Sequence, residues 1–185
     1  MYSKIAMAAA LAVSLPFAVS AQETSPDGSK AFGIEPYVAI GGGYHDFDRT
    51  DETPLGGPPD TTDGSLIIGT AGVNVPLDMF FIGAEGNIAY GFDEIEWEYG
   101  AAGRFGIRIG ESGLLFGKVG YQWIEEERGF KDDEGMLYGM GFEVGPQDIG
   151  LGGITGQSGV RLRVGVDTFE NFESIRPNAS LVFHF

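Results

Sequence analysis

The chain has 185 residues, with 27 acidic against 11 basic side chains and a formal net charge of −16. That balance excludes nucleic acid and anionic lipid surfaces as electrostatically attracted partners. With no cysteine, disulfide staples, thiol chemistry and cysteine-based zinc sites are excluded too, while 31 glycines and 12% aromatic residues favour strands over helices.

Residues 1–21 combine Lys4, an apolar run from Ile5 to Val19 and the small residues Val19, Ser20 and Ala21. This is the layout of a secretory signal peptide, with cleavage expected before Gln22. The run is short of the roughly 20 apolar residues that a spanning helix needs, and Pro16 interrupts it. Residues 22–185 are expected to form one domain, because no break in composition divides them.

Beyond the leader no stretch is continuously apolar over about 18 residues, so alternation is the signal left to read. Tyr37 to Tyr44 and Leu66 to Val75 are the first two strand segments. Phe80 to Phe92 is clearer: Phe80, Ile82, Ala84, Gly86, Ile88, Tyr90 and Phe92 share one face, and Glu85 and Asn87 lie on the other. From Tyr99 to Ile109 the odd positions are uncharged, opposite Arg104 and Arg108. From Leu115 to Trp123 the odd positions are again apolar or small, opposite Lys118 and Gln122. Met136 to Val144 contains Glu143, and Val160, Leu162, Val164 and Val166 alternate with Arg161, Arg163 and Asp167. Pro177 to Phe185 closes the series. The pattern implies about eight strands of roughly nine to thirteen residues, long enough to cross a bilayer at a tilt. Gly145 to Ser158 does not fit; it either extends the seventh strand or forms a real loop.

A water-soluble barrel and a membrane barrel share this alternation with opposite sign. An eight-stranded barrel has an interior that side chains just fill. Phe80, Phe92, Phe105, Tyr121 and Trp123 would overfill it, so they are expected to face lipid. The opposite faces supply Glu85, Glu143 and Asp167 against Arg104, Arg108, Lys118, Arg161 and Arg163, a near-balanced lumen charge network. Gly100, Gly106, Gly120, Gly139, Gly141 and Gly165 on those faces leave room for it. Aromatic residues gather in two girdles: Tyr44, Phe47, Tyr90, Phe92, Trp97, Tyr99, Tyr121 and Trp123 at one end, and Tyr37, Phe80, Phe183 and Phe185 at the other. The expected fold is an all-β, eight-stranded antiparallel up-and-down transmembrane β-barrel. Its acidic clusters (Asp46 to Asp63, Asp93 to Glu98, Glu125 to Glu134 and Asp167 to Glu173) read as loops at the outer end, opposite short turns around Pro76 to Met79 and Gly110 to Gly113.

The opening Pro36-Tyr37-Val38-Ala39-Ile40-Gly41-Gly42-Gly43-Tyr44, the repeated aromatic-Gly pairs and the closing Ala179-Ser180-Leu181-Val182-Phe183-His184-Phe185 resemble the small outer-membrane barrels related to the barrel domain of outer membrane protein A and the opacity-type surface proteins. The resemblance covers nearly all of residues 22–185. It implies location in the cell outer membrane, surrounded by lipid and lipopolysaccharide, after export through the periplasm. It also implies an assembly signal in Phe183 and Phe185, read by the barrel-insertion machinery. No peptidoglycan-binding domain is expected after the closing strand, a departure from the two-domain members of that family.

Catalytic, metal and cofactor signals are thin. His45, placed at the outer rim, and His184, at the opposite end of the lumen face, are too far apart to share a metal, and each reads as a lone imidazole. Outer-membrane lipases and lipid A deacylases need a histidine beside a serine; Ser180 and His184 share a face but stand four residues apart, beyond hydrogen-bond reach on a strand. Asp46, Asp48, Asp51 and Glu52 invite a calcium reading, but the positions that an EF-hand loop reserves for Gly and Glu hold Asp51 and Gly57. A looser expectation is that the acidic loops share divalent cations with lipopolysaccharide phosphates. Gly41-Gly42-Gly43 lacks the Lys-Ser/Thr pair of a phosphate loop. The expected function is non-enzymatic, serving envelope integrity or surface contact through acidic loops. The alternatives are a narrow pore, a lipid-modifying enzyme and a soluble periplasmic binding barrel.

Overall fold

The computed structural model describes residues 34–47, 64–92, 95–110, 113–126, 133–145, 159–169 and 174–185. The alternating segments form eight strands: β1 (Glu35–Phe47), β2 (Gly64–Leu77), β3 (Phe80–Gly91), β4 (Ile95–Ile109), β5 (Gly113–Glu126), β6 (Asp133–Val144), β7 (Val160–Phe169) and β8 (Ser174–His184). Each pairs antiparallel with the next, and β8 pairs back onto β1, so the sheet closes without an edge. The all-β up-and-down barrel expected from the alternation is the fold observed. The signal-peptide segment and residues 48–63, which hold most of the calcium-like cluster, lie outside the described residues. So do residues 146–158; β7 starts only at Val160.

Pairing fixes the stagger. The registered neighbours Leu115, Phe142, Val164, Ala179, Gly42, Ile67, Tyr90, Trp97 and Glu125 trace one circuit that returns to β5 from residue 115 to residue 125, an offset of ten. Such a stagger tilts the strands by about 40°, at which a strand of ten residues spans an apolar band of about 25 Å. Two turns at one end are short. Asp78 takes the left-handed conformation (φ 62°), which a short polar side chain tolerates, and Gly110 takes it (φ 66°) without a Cβ to clash.

The outer face is apolar between its rims. Val38, Ile40, Ile67, Ile82, Ile88, Phe105, Leu115, Met140, Phe142 and Leu181 are all exposed there, Met140 by 65%. Water gives that surface no reason to exist at such extent, whereas hydrocarbon does. The ring of Phe105 lies over Gly117, its neighbour on β5, with 3.1 Å from the ring edge to where a Cβ would stand. At one end of the barrel Tyr90 packs edge-on to Phe92 (5.6 Å) and Trp97 (5.0 Å), and Tyr99 stacks on Trp123 (5.6 Å), which meets Tyr121 at 5.0 Å. Phe80, Phe183 and Phe185 are exposed at the other end.

The structure corrects several sequence expectations. Tyr37 belongs to neither girdle: it is 2% exposed and points into the lumen, because Val38 and Ile40 take the outer face of β1 and leave the odd positions inside. Glu98 and Asp167 are not loop residues but inward-facing members of β4 and β7. Strand β8 begins at Ser174, ahead of Pro177. The β1–β8 register is continuous from Tyr37–His184 to Gly43–Asn178 and resumes at Asp46–Ile175, so Pro177, which has no N–H to give, falls in the gap of the ladder.

Candidate functional site

Alternation and closure together turn one face of every strand inward, and those faces converge on a lumen dominated by charge. Glu85, on β3, pairs with Arg104 (3.4 Å), Lys118 (3.2 Å) and Arg163 (3.3 Å) and accepts the phenol proton of Tyr37 (2.7 Å). Glu143, on β6, pairs with Arg104 (2.8 Å), Arg163 (2.9 Å) and His184 (3.0 Å). The Arg104 guanidinium also lies over the Phe116 ring (4.0 Å to the ring centre), so an aromatic face supports it beside its carboxylates. Lys118 continues to Asp167 (3.0 Å), Asp167 to Arg176 (3.1 Å), and Arg176 to Glu98. Glu98 meets His45 at 2.5 Å. One unbroken chain of ion pairs therefore links Glu98 to Glu143, and hydrogen bonds to His45 at one end and His184 at the other extend it along the barrel.

Of the eight residues assigned to the lumen network from sequence, Glu85, Arg104, Lys118, Glu143, Arg163 and Asp167 meet in this chain. Arg108 stands apart near the terminal end, paired with Glu35 at 2.8 Å and one-fifth exposed. Arg161 is buried, 1% exposed, on the same inner face. Phe183 and Phe185 lie on the outer face of the closing strand and its tail. Glu35, Tyr37, His45, Glu98 and Arg176 are the lumen residues absent from the network expected from sequence. The signal was present for three of them. Extending the parity of Arg104 and Arg108 back along β4 reaches Glu98, extending that of Asn178 and Ser180 back along β8 reaches Arg176, and Val38 and Ile40 fix Tyr37.

The two histidines lie at opposite ends of the lumen, and each has polar partners there. His45 lies inside the acidic mouth, with Nδ1 on Glu98 and Nε2 3.0 Å from Ser174 Oγ; His184 Nε2 contacts Glu143. A histidine does stand beside a serine, but across strands: Phe47 registers with Ser174 in the closing pair, which brings the start of β8 next to His45.

Apolar groups flank the charged chain. Leu66, Ala89, Ile124 and Phe169 cluster towards the acidic end; Phe81, Leu114 and Phe116, with Tyr37, Ala39 and Val182, pack towards the terminal end. Inner glycines admit the long side chains. A Cβ on Gly141 would stand 2.7 Å from the Val164 carbonyl and 2.8 Å from the Phe116 ring. A cavity of about 20 Å³ bordered by Thr70, Asn87, Lys118, Asp167, Asn178 and Ser180 has room for one or two waters. No group of three His, Asp or Glu side chains is arranged to hold a metal ion among the described residues.

Charge outside the lumen is one-sided. The connections β1–β2, β3–β4, β5–β6 and β7–β8, with the strand ends that lead into them, carry 17 acidic residues (within 46–63, 93–96, 125–134 and 170–173) against Arg49, Arg128 and Lys131.

No protein-family model matches the sequence, and no curated protein does. Among solved structures the barrel is similar to Ail, the attachment invasion locus protein of Yersinia pestis, at 14% identity over 83% of this chain and 100% of that one, with a TM-score of 0.50. Neisserial surface protein A is 14% identical over 81% of this chain and 97% of its own (TM-score 0.45), and a designed transmembrane β-barrel is 9% identical over 85% and 99% (TM-score 0.49). At 14% identity the likeness to Ail is one of fold: a closed, eight-stranded antiparallel barrel.

Proposed function

We propose that this chain is an outer-membrane barrel that acts by contact rather than transport, presenting its acidic end outside the cell and serving envelope integrity or surface interaction. The observation that carries this reading is the filled lumen. Among the described residues Glu85, Glu143, Arg104 and Arg163 fill the middle of the barrel, buried and paired with one another, and a cavity of about 20 Å³ beside Lys118 and Asp167 has room for water. On this reading the described lumen carries no solute, and the chemistry left to meet the surroundings is the apolar outer wall and the acidic end. The wall fits lipid. The acidic end fits divalent cations shared with lipopolysaccharide phosphates, because like charges approach only with counterions between them. Shared fold with Ail, named for attachment and invasion, supports a surface role. Kinship with the outer membrane protein A and opacity-type barrels, and reading of Phe183 and Phe185 by insertion machinery, belong to the same proposal.

Planar-bilayer recording on the purified, heat-modifiable monomer tests it. The expected record shows no discrete conductance steps. Discrete steps from monomer would refute the plugged lumen and establish the narrow-pore alternative instead.

A further inference from the structure

The carboxylate of Glu98 sets the hydrogen-bond directions at the acidic mouth for a neutral His45 ring. Glu98 is fully buried, and Arg176 and the Gln122 amide (3.2 Å) hold its second oxygen, which keeps it a carboxylate that only accepts. His45 Nδ1, 2.5 Å from Glu98 Oε1, must therefore donate. In the neutral ring that leaves Nε2 as an acceptor. Ser174 Oγ, 3.0 Å away, is then the donor to Nε2, and its own lone pair takes the Phe169 backbone N–H at 3.2 Å. A carboxylate fixing the tautomer, an imidazole accepting from a hydroxyl, and that hydroxyl with its single proton committed to the imidazole are the three roles of an activated serine, recognised by geometry and not by sequence order. The residues come from β4, β1 and β8, so no local motif could have announced them.

The geometry points to Ser174 as a nucleophile, with His45 as its base and Glu98 orienting the imidazole, acting on carboxylic esters that enter at the acidic mouth. Ser174 Oγ bonds to the ester carbonyl carbon as its proton passes to His45 Nε2. The carbon–oxygen bond to the alcohol breaks and the alcohol leaves with that proton. Water, deprotonated by the same nitrogen, then releases the carboxylic acid and restores the serine. The inference goes beyond the surface-contact reading and is independent of it, since neither a plugged lumen nor an acidic exterior bears on Ser174. Location favours the role over that of one more strand clamp: Ser174 opens β8 and His45 lies two residues from the end of β1, at the mouth and not in the sealed middle. The aliphatic and aromatic cluster that includes Phe169, whose N–H holds Ser174, adjoins it. Ser174 is 1% exposed, so access is the quantity on which the proposal turns.

A small alkyl fluorophosphonate reads access and activation together. The full chain, folded in detergent micelles and verified by heat-modifiable mobility, should gain one phosphonyl group on the peptide holding Ser174. Ser174→Ala should abolish labelling, and His45→Gln should slow it about 100-fold, the scale of a lost general base, with folding of both variants checked by the same mobility. Hydrolysis of p-nitrophenyl butyrate against release of fatty acid from phosphatidylethanolamine vesicles then separates a soluble ester from a lipid as substrate. No labelling of the folded chain, labelling that survives His45→Gln unchanged, or hydrolysis of neither ester would overturn the proposal and leave the constellation as a clamp joining β1, β4 and β8.

Discussion

Replacing Glu143 by Gln removes the charge on which the terminal half of the lumen converges. In the native barrel Glu143 is 1% exposed and meets Arg104 at 2.8 Å, Arg163 at 2.9 Å and His184 at 3.0 Å. Without it Arg104 and Arg163 would face Glu85 alone, which they already share with Lys118. Breaking a buried pair by removing one partner costs about 3–5 kcal/mol, because the remaining charge stays desolvated and uncompensated. Gln keeps the shape and one accepting oxygen, which places the expected loss near the lower bound, about 3 kcal/mol, or a factor of about 150 in the folding constant. The companion change Glu35→Gln removes a pair whose Arg108 is one-fifth exposed, and water can take over that guanidinium; the expected cost is below about 1 kcal/mol. Urea titration of both variants in lipid micelles, followed by heat-modifiable mobility and by the fluorescence of Trp97 and Trp123 on the outer wall, gives the two losses side by side. In the double variant Glu143→Gln, Arg163→Met, both partners are gone and part of the stability should return. Equal losses at positions 143 and 35, or a Glu143→Gln barrel within about 0.5 kcal/mol of the parent, would refute the account of the lumen as a desolvated network.

The outer wall gives a depth-dependent prediction. Ile40 is exposed near the middle of β1 and Ile34 lies at its terminal end, so Ile40→Arg should cost about 2–4 kcal/mol in bilayers and Ile34→Arg less than about 1 kcal/mol, measured by the same titration. Equal costs would mean that the wall does not face hydrocarbon. Orientation is tested with trypsin added to intact cells: cleavage is expected after Arg49, Arg128 or Lys131, the bases of the acidic end. Protection in intact cells, with cutting only after lysis, would place the acidic end on the periplasmic side.

Much of the fold was legible because a closed sheet with hydrocarbon outside and charge inside imposes a strict period of two. From Phe80 to Phe92 and from Leu115 to Trp123 every charge falls on one face; the second segment lies within β5, and the first runs one residue past the end of β3. The reading failed where two signals competed for one residue. The expected last strand opens at Pro177, yet Pro177 sits inside β8, at a gap in its pairing with β1, and Arg176 lies ahead of it on the same strand. Glu98 was counted with an acidic cluster although its parity matches Arg104. Tyr37 was sorted by its aromatic ring rather than by its alternation with Val38 and Ile40. In these last two composition overrode period, and period was right.

The cross-strand geometry has a different status. Period tells that Glu85, Glu143, Arg104 and Arg163 face inward; it does not tell which meet, because that depends on the offset of ten residues by which the sheet closes on itself. That offset sets which levels of β1, β4 and β8 share the acidic mouth, and hence that His45, 53 residues from Glu98 and 129 from Ser174 in sequence, lies between them. The same closure explains the split in charge. Six of the 11 basic residues of the chain (Arg104, Arg108, Lys118, Arg161, Arg163 and Arg176) face the lumen, where they neutralise Glu35, Glu85, Glu98, Glu143 and Asp167. The bases needed to offset the outer acids are thereby withdrawn into the barrel. The lumen and the acidic end are thus two consequences of one arrangement: the pairing that gathers the bases in the lumen also leaves the exterior strongly negative.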